Sequence, residues 1–303
     1  ETPMVVAETP VPITVGGKPV LVVDDNAVNQ MLAESQLARL GMKAIVVGTP
    51  EAAVEMLAKG EGPDLVLMDY HLPGIDGLET TRRIRTTEAS PTGGGRHVAI
   101  VGVTASASLG DRASCLEAGM DDYVPKPVSL ADLTAAFERV GPVRAAIRAA
   151  RAAHRESPVA AAPATAAATI VVDPIADAPV SESPSPVTST DEPAAQVEAA
   201  VDVDALDVLA GELGDRSTVV DLIDTFLVEL PARIDGIVAT GAAGDRDGLH
   251  RLVHTLTSSA RLLGAASLAT ACHEFEHDRL AADVVVELAA QVRTELDAWS
   301  SST

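Results

Sequence analysis

Five residues far apart in the chain could share one reaction. Asp24 and Asp25 lie in LVVDDNAVNQ, Asp69 in LVLMDYHLPGIDG, Thr104 in VGVTA and Lys126 in DYVPKP. Each closes or follows a short apolar run of the kind that forms a buried strand. Three carboxylates brought together would repel one another and raise one another's pKa. A hard divalent cation resolves the repulsion, and Mg²⁺ prefers oxygen ligands, keeps several waters and is commonly shared with phosphate oxygens. An ammonium and a hydroxyl then suit the remaining oxygens of a phosphoryl group, as point charge and hydrogen-bond donor. A single acid at a strand end would be read as a solvated loop residue or a helix cap. Five groups at compatible places point to phosphoryl chemistry with magnesium.

A second set of candidates consists of histidines. His250 and His254 stand four residues apart, as do His273 and His277, the latter pair within His273-Glu274-Phe275-Glu276-His277. On a helix that H-E-x-x-H spacing puts both imidazoles on one face, where they could bind zinc with Glu274 as general base. The two pairs together would make a four-histidine site across two helices. Against it, no third ligand follows His277 at the usual spacing, and no separate catalytic domain is evident.

The elements that must position these residues follow from apolar patterning. The spacing predicts strands over Val20–Val23, Lys43–Val47, Asp64–Met68, Val98–Val103 and Tyr123–Val124. Helices are expected between and after them, over Asn26–Leu40, Pro50–Lys59, Gly77–Thr86, Gly110–Ala118 and Leu130–Val140, several of them closed by glycine. Continuous apolar strands alternating with helices imply a five-stranded, doubly wound parallel sheet covered on both faces. The ligand site of such a sheet lies at the carboxyl ends of its strands, where all five candidates fall. From Val201 the strand pattern gives way to apolar spacing of three and four. It runs through Ser217–Val238, Gly248–Leu263, Ala265–His277 and Ala282–Trp299, with a short leading helix near Asp204–Leu213. That pattern predicts an antiparallel four-helix bundle.

The domains are thus expected at 19–140 and 201–303, with a linker over 1–18 and a basic helical extension over 141–157. Between them, residues 158–200 are rich in Ala, Pro and Ser and read as a disordered tether. In the extension, Arg144, Arg148, Arg151 and Arg155 line one helical face, either as a docking stripe for an acidic surface or simply as a solvated face. The loop Ala89–His97 contains three consecutive glycines but no phosphate-loop lysine, and reads as a surface loop.

Charge and composition exclude several function classes. The net charge is −22 over 303 residues, which opposes binding to nucleic acid or anionic membranes. Ten basic against 17 acidic residues leave 19–140 at −7, and seven against 18 leave 201–303 at −11. Six aromatic residues are too few for base-stacking platforms. Cys115 and Cys272 cannot form a disulfide framework, which fits a reducing compartment and a cytoplasmic location. No apolar run approaches the roughly 20 residues of a transmembrane helix. The first residue is Glu1 rather than Met, so the chain is expected to be part of a longer protein.

LVVDDNAVNQ, LVLMDYHLPGIDG, VGVTA and DYVPKP together resemble a response-regulator receiver domain over about 19–140, of the kind attached to hybrid histidine kinases. The resemblance implies that Asp69 accepts a phosphoryl group from a phosphohistidine. It also implies that Asp25, Asp69 and the backbone carbonyl of His71 hold Mg²⁺, with Asp24 helping through water. Thr104 and Lys126 would bind the phosphoryl oxygens, and Tyr123 would be the switch aromatic. A haloacid-dehalogenase-like phosphatase also uses an aspartate after a strand, but needs a second acid two residues on, where this chain has His71.

LHRLVHTLTSSARLLGAASLATACHEFEH resembles a histidine-containing phosphotransfer (HPt) domain through His254, Leu256, Ser259, Gly264 and Ala265. The resemblance implies that His254, exposed in mid-helix, is the phosphorylated histidine, with His250 a solvated neighbour. Two positions depart from the family: Thr257 stands where a lysine is common, and Ser258 where glycine is. Arg261, seven residues after His254 on the same face, is expected to replace the lost cation.

The expected function is phosphorelay signalling. Asp69 is fed by an upstream histidine kinase domain, and His254 passes the phosphoryl group to a downstream response-regulator receiver. No ATP-binding kinase motif is present, so an autokinase would lie before Glu1. The alternatives are a receiver joined to a degenerate HPt-like docking scaffold, and a zinc-binding helical domain using His273 and His277.

Overall fold

A computed structural model describes residues 18–59, 62–90, 97–104, 109–141 and 199–302. All but the last residue of the expected linker over 1–18, most of the glycine-rich loop, the arginine stripe and nearly all of the tether lie outside them.

The first unit alternates strand and helix: β1 (Val20–Val23), α1 (Ala27–Arg39), β2 (Ala44–Val47), α2 (Pro50–Ala58), β3 (Leu65–Asp69), α3 (Gly77–Ala89), β4 (Ala99–Thr104), α4 (Leu109–Glu117), β5 (Asp122–Pro125) and α5 over 130–141. The strands form one parallel sheet in the order β2-β1-β3-β4-β5. The outer crossovers put helices on both faces, and the strand order reverses beside β1 and β3. β1, β3 and β4 are buried along their whole length, as a sheet covered twice requires. One face packs Val20, Val22, Leu65, Leu67 and Phe137, and the other Leu21, Val23, Val66, Met68 and Ile100. Helix starts are set locally. The Asn26 side chain accepts from Val28 N, Thr49 caps α2 ahead of Pro50, and Asp76 accepts from Glu79 N at 2.7 Å.

The second unit is helical: α6 (Val203–Leu213), α7 (Arg216–Ala243), α8 (Arg246–Leu262), α9 (Ala266–Glu276) and α10 (Ala282–Ser301). Asp202, Asp215 and Asp245 cap the first three. α7 runs through Pro231, which cannot donate to the Leu227 carbonyl one turn back. Arg293 of α10 donates Nη2 to that oxygen at 2.7 Å, so the helix continues unbroken and is tied to its neighbour. Gly264 has φ +73°, and a Cβ there would lie 2.5 Å from the Asp202 carbonyl oxygen. The Gly-Ala pair after α8 is thus a packing requirement.

The two units share a core. Val28 and Leu32 of α1 are buried in the same apolar cluster as Leu206, Phe226, Leu256 and Trp299 of the bundle. α1 therefore has two apolar sides, one on the sheet through Leu37 and Leu40 and one on α7 and α8. Burying a large aliphatic side chain is worth about 1.5–3 kcal/mol.

Candidate functional site

The strand ends converge as expected. Asp24, Asp25 and Asp69 offer carboxylate oxygens within 4.8 Å of one another. Lys126 Nζ lies 2.9 Å from Asp69 Oδ2 and 3.2 Å from Asp24 Oδ2. Asp24 and Asp69 are 5% and 3% exposed, and Thr104 is buried at the end of β4 beside them. Asn29 and Gln30 pin Asp24, by Nδ2 to its carboxylate at 3.1 Å and by Nε2 to its carbonyl at 2.5 Å. Gly77 opens α3 directly over this site, where a Cβ would lie 2.0 Å from the Asp69 carbonyl oxygen.

The electrostatics follow from burial. Burial pushes Asp24 up to about 6, against the Lys126 charge that lowers it, with Asp69 adding repulsion. Asp69 is raised too, again by burial and against Lys126. Burial works to lower Lys126, but the two carboxylates prevail and hold it firmly protonated. Asp69 Oδ1 is buried with no hydrogen-bond partner. Three crowded acids, one with an unsatisfied oxygen, and only one ammonium leave room for a further cation, and an all-oxygen donor set fits Mg²⁺.

His254 is the centre of the other half, and here the expectation of an exposed histidine is corrected. Its ring lies tilted against that of His71, centroids 3.9 Å apart, and its Nε2 is buried without a hydrogen-bond partner. His254 borders a cleft together with Lys126, Pro127, Thr257, Ser258 and Arg261. Burial, then the charges of His71, Lys126, His250 and Arg261, push its pKa down to about 3. The imidazole is therefore neutral, with a free lone pair, at neutral pH. Thr257 Oγ1, at the position of the missing lysine, is also buried and unpartnered. Arg261 reaches the same cleft, where its charge was expected.

Docking is made by residues whose motif the sequence displays but whose role it hides. Asn26 Nδ2 donates to the Thr255 carbonyl at 2.9 Å and to Ser259 Oγ at 3.0 Å. Asn29 Nδ2 donates to Ser258 Oγ at 3.3 Å, so the serine at the second departing position has a use. Thr225 Oγ1 meets Met31 Sδ at 3.1 Å, and Arg233 of α7 sets a positive charge near Asp25. The outward apolar residues Val28, Met31 and Leu32 were the available signal. Tyr123 is half-buried and packs against the apolar cluster that contains Val23, Met68 and Ile100.

The zinc alternative changes shape. His254 faces the first unit rather than His273, so no four-histidine cluster forms. The groups brought together are His273, Glu276 and His277, and the carboxylate is that of Glu276 in place of Glu274.

Comparison with known proteins returns two family matches: a response regulator receiver domain over residues 20–138 and an Hpt domain over 221–302. The sensor histidine kinase GacS of Pseudomonas protegens is 28% identical over 268 residues, covering 85% of this chain and 24% of that protein. The two-component response regulator 24 of Arabidopsis thaliana is 35% identical over 120 residues, covering 40% of this chain and 81% of that protein. The receiver domain of the sensor histidine kinase PA1611 from Pseudomonas aeruginosa PAO1, solved with magnesium in its active-site cleft, is 40% identical. That match covers 41% of this chain and 98% of that one, with a TM-score of 0.36. The chain spans 9% and 24% of the length of two curated sensor proteins it matches.

Proposed function

The chain belongs to the response-regulator receiver family and carries an Hpt domain after its receiver, the two modules of phosphorelay signalling, and from that premise we propose that Asp69 and His254 exchange a phosphoryl group within this chain. The observation that carries the proposal is the docked pair: neutral His254, with an unpartnered buried Nε2, lies across a shared cleft from Lys126, which holds Asp69.

Asp69 takes the group from a phosphohistidine of an upstream kinase domain, forming an acyl phosphate as the phosphorus–nitrogen bond breaks. His254 Nε2 then attacks phosphorus, and the bond to the Asp69 oxygen breaks as the bond to nitrogen forms. The carboxylate leaves as an anion beside Lys126, which needs no proton movement to stabilise it. Thr104 and Lys126 bind the equatorial oxygens from the receiver side, and Thr257 and Arg261 from the bundle side. Asp25, Asp69 and the His71 carbonyl would hold Mg²⁺, with Asp24 acting through water. Bound there, the metal neutralises charge on the phosphoryl oxygens. Tyr123 would report occupancy as the switch residue.

Docked, each partner occupies the face that any other partner needs. The kinase must reach Asp69, and a downstream receiver must reach His254, through the surface that α1 and α8 now bury. The relay therefore requires the interface to open, with the tether of 158–200 keeping the halves at high mutual concentration. The receiver and the bundle are assigned to 19–140 and 201–303. The two cysteines, free and buried, support a cytoplasmic setting for the module, and no described helix is long and apolar enough to cross a membrane.

The test is the site and lability of label. The chain is incubated with Mg²⁺ and its labelled kinase, comparing wild type, Asp69→Asn and His254→Gln. Acid-labile label that requires both residues is the expected result. Base-labile label on Asp69 alone would make the bundle a docking scaffold. Label reaching His254 at an undiminished rate in Asp69→Asn would refute the internal step.

A further inference from the structure

We propose that His273, Glu276 and His277 form a binding site for a divalent transition-metal ion of the zinc class, on the bundle and separate from the acidic magnesium pocket. α9 ends at Glu276, and His277 is its C-terminal cap residue. The i,i+4 spacing brings the two imidazoles edge to face, with ring centroids 4.5 Å apart. The carboxylate of Glu276 joins them, so that one ligand atom from each of the three lies within 4.8 Å of the others. His273 Nδ1 is 3.4 Å from Glu276 Oε2.

Two further contacts orient these groups as a metal would need. His277 Nδ1 donates to the His273 carbonyl at 2.8 Å, which fixes the tautomer that leaves Nε2 with its lone pair. Ligating histidines almost always give their other ring N–H to such an acceptor. His250 Nδ1, reaching across from α8, lies 2.6 Å from Glu276 Oε1 and holds that carboxylate, leaving Oε2 for an ion. The Glu276 side chain is only 12% exposed, unusual for a surface glutamate, while His250 and His273 are more than half exposed. The partly buried acid is thus bracketed by three imidazoles that solvent can reach.

The donor set selects the metal. Imidazole nitrogen favours Zn²⁺, Cu²⁺ and Ni²⁺ over Mg²⁺ and Ca²⁺, which take oxygen. Two histidines and one glutamate leave a fourth tetrahedral position open to water or an exogenous ligand. His250 is a positioning residue here, one turn before His254 on α8 and with its ring 6.3 Å from that of His71. An ion at this site therefore stiffens the α8–α9 contact next to the phosphotransfer surface.

The experiment is calorimetric titration of the full chain with ZnCl₂ in buffer containing excess Mg²⁺, with X-ray absorption at the zinc edge to read the ligands. One site with nitrogen and oxygen donors is expected. Affinity should fall by at least about 100-fold in His273→Ala/His277→Ala, and by about 10–100-fold in His250→Ala. Asp69→Asn and His254→Gln should bind zinc as the wild type does. Should the double variant lose its helical circular dichroism, the nearly isosteric Glu276→Gln decides, with at least a tenfold loss expected. Undiminished binding in Glu276→Gln, loss of binding in Asp69→Asn, or no binding by the wild type at micromolar zinc would each overturn the site.

Discussion

Asp69 is 3% exposed at the end of a buried strand, with Lys126 on its carboxylate; His254 lies in mid-helix on α8, half-buried, with its ring against His71 of the other unit. The receiver half collects charge from several strand ends onto one sheet edge, because parallel strands all point their carboxyl ends the same way. A helix offers only the neighbours three and four residues away. For His254 these are His250, Arg251, Thr257 and Ser258, and none supplies a lysine. In the proposed transfer the bundle therefore brings a neutral nucleophile, and most of the charge that would neutralise a phosphoryl group comes from the receiver. This division explains how Thr257 can stand where the family often has a cation: Lys126 and Arg261 border the same cleft.

Removing the receiver's charge should have the largest effect. Lys126→Ala is expected to slow phosphoryl uptake at Asp69 by about 10²–10³-fold, as loss of a transition-state donor does, whereas Arg261→Ala should cost far less in single-turnover transfer to His254. Equal losses would remove the asymmetry.

Next is the contact itself. Val28→Asp with Leu32→Asp puts charge into the shared core but leaves the sheet-facing Leu37 and Leu40 in place. Rapid-quench transfer from Asp69 to His254 is expected to fall by about 10–100-fold, because the tether still confines the halves. Small-angle scattering should show them apart. A compact particle with unchanged transfer would show that docking through α1 is dispensable.

The two halves should also answer acid in opposite senses. His254 is held near 3 when docked and has an ordinary histidine pKa of about 6.5 when free. Docking is therefore fully favoured above about 6.5 and weakens by about tenfold per pH unit as pH falls toward 3. Asp24 is raised to about 6 by burial, so its folded-state cost is absent in acid and grows as pH rises through 6. Mg²⁺ binding should thus release protons as pH falls toward 6, measured by calorimetry in buffers of different ionisation heat, and Asp24→Asn should reduce the release, with Asp25 and Asp69, also raised by burial, supplying the rest. Chelating Mg²⁺ at pH 8 should lower the stability of the receiver and leave the bundle unchanged.

The smallest effect concerns an ion cluster behind the receiver sheet. His97 is raised to about 9 by hydrogen bonding to Asp121 and then Glu88, and Arg85 joins both acids at 2.8 Å. A raised histidine pKa stabilises the fold fully below about 6.5, and that contribution is lost as pH rises through 9. Urea denaturation between pH 6 and 10 should show a shallow decline that His97→Gln flattens. Partial exposure of His97 and added salt both reduce it.

Strands, helices, glycine helix ends and the converging acids were readable from sequence because each depends on local chemistry: apolar period, glycine where a helix closes, an acid where an apolar strand ends. The bundle helices were readable for the same reason, within a few residues of their ends. Pro231 could have broken α7, and only Arg293, folded back from α10, keeps it whole. The docking of α1 on α8 joins residues 229 positions apart, from Asn26 to Thr255. Val28 and Leu32 mark an apolar face in the sequence, but periodicity does not say what covers it. Likewise the H-E-x-x-H spacing places two histidines on one face, whereas the turn ending α9 and the reach of His250 decide that Glu276 joins them. Local propensity made the parts and the reactive residues; the contact of His254 with His71, and those of Asn26 and Asn29 with α8, exist only once the two domains close on each other.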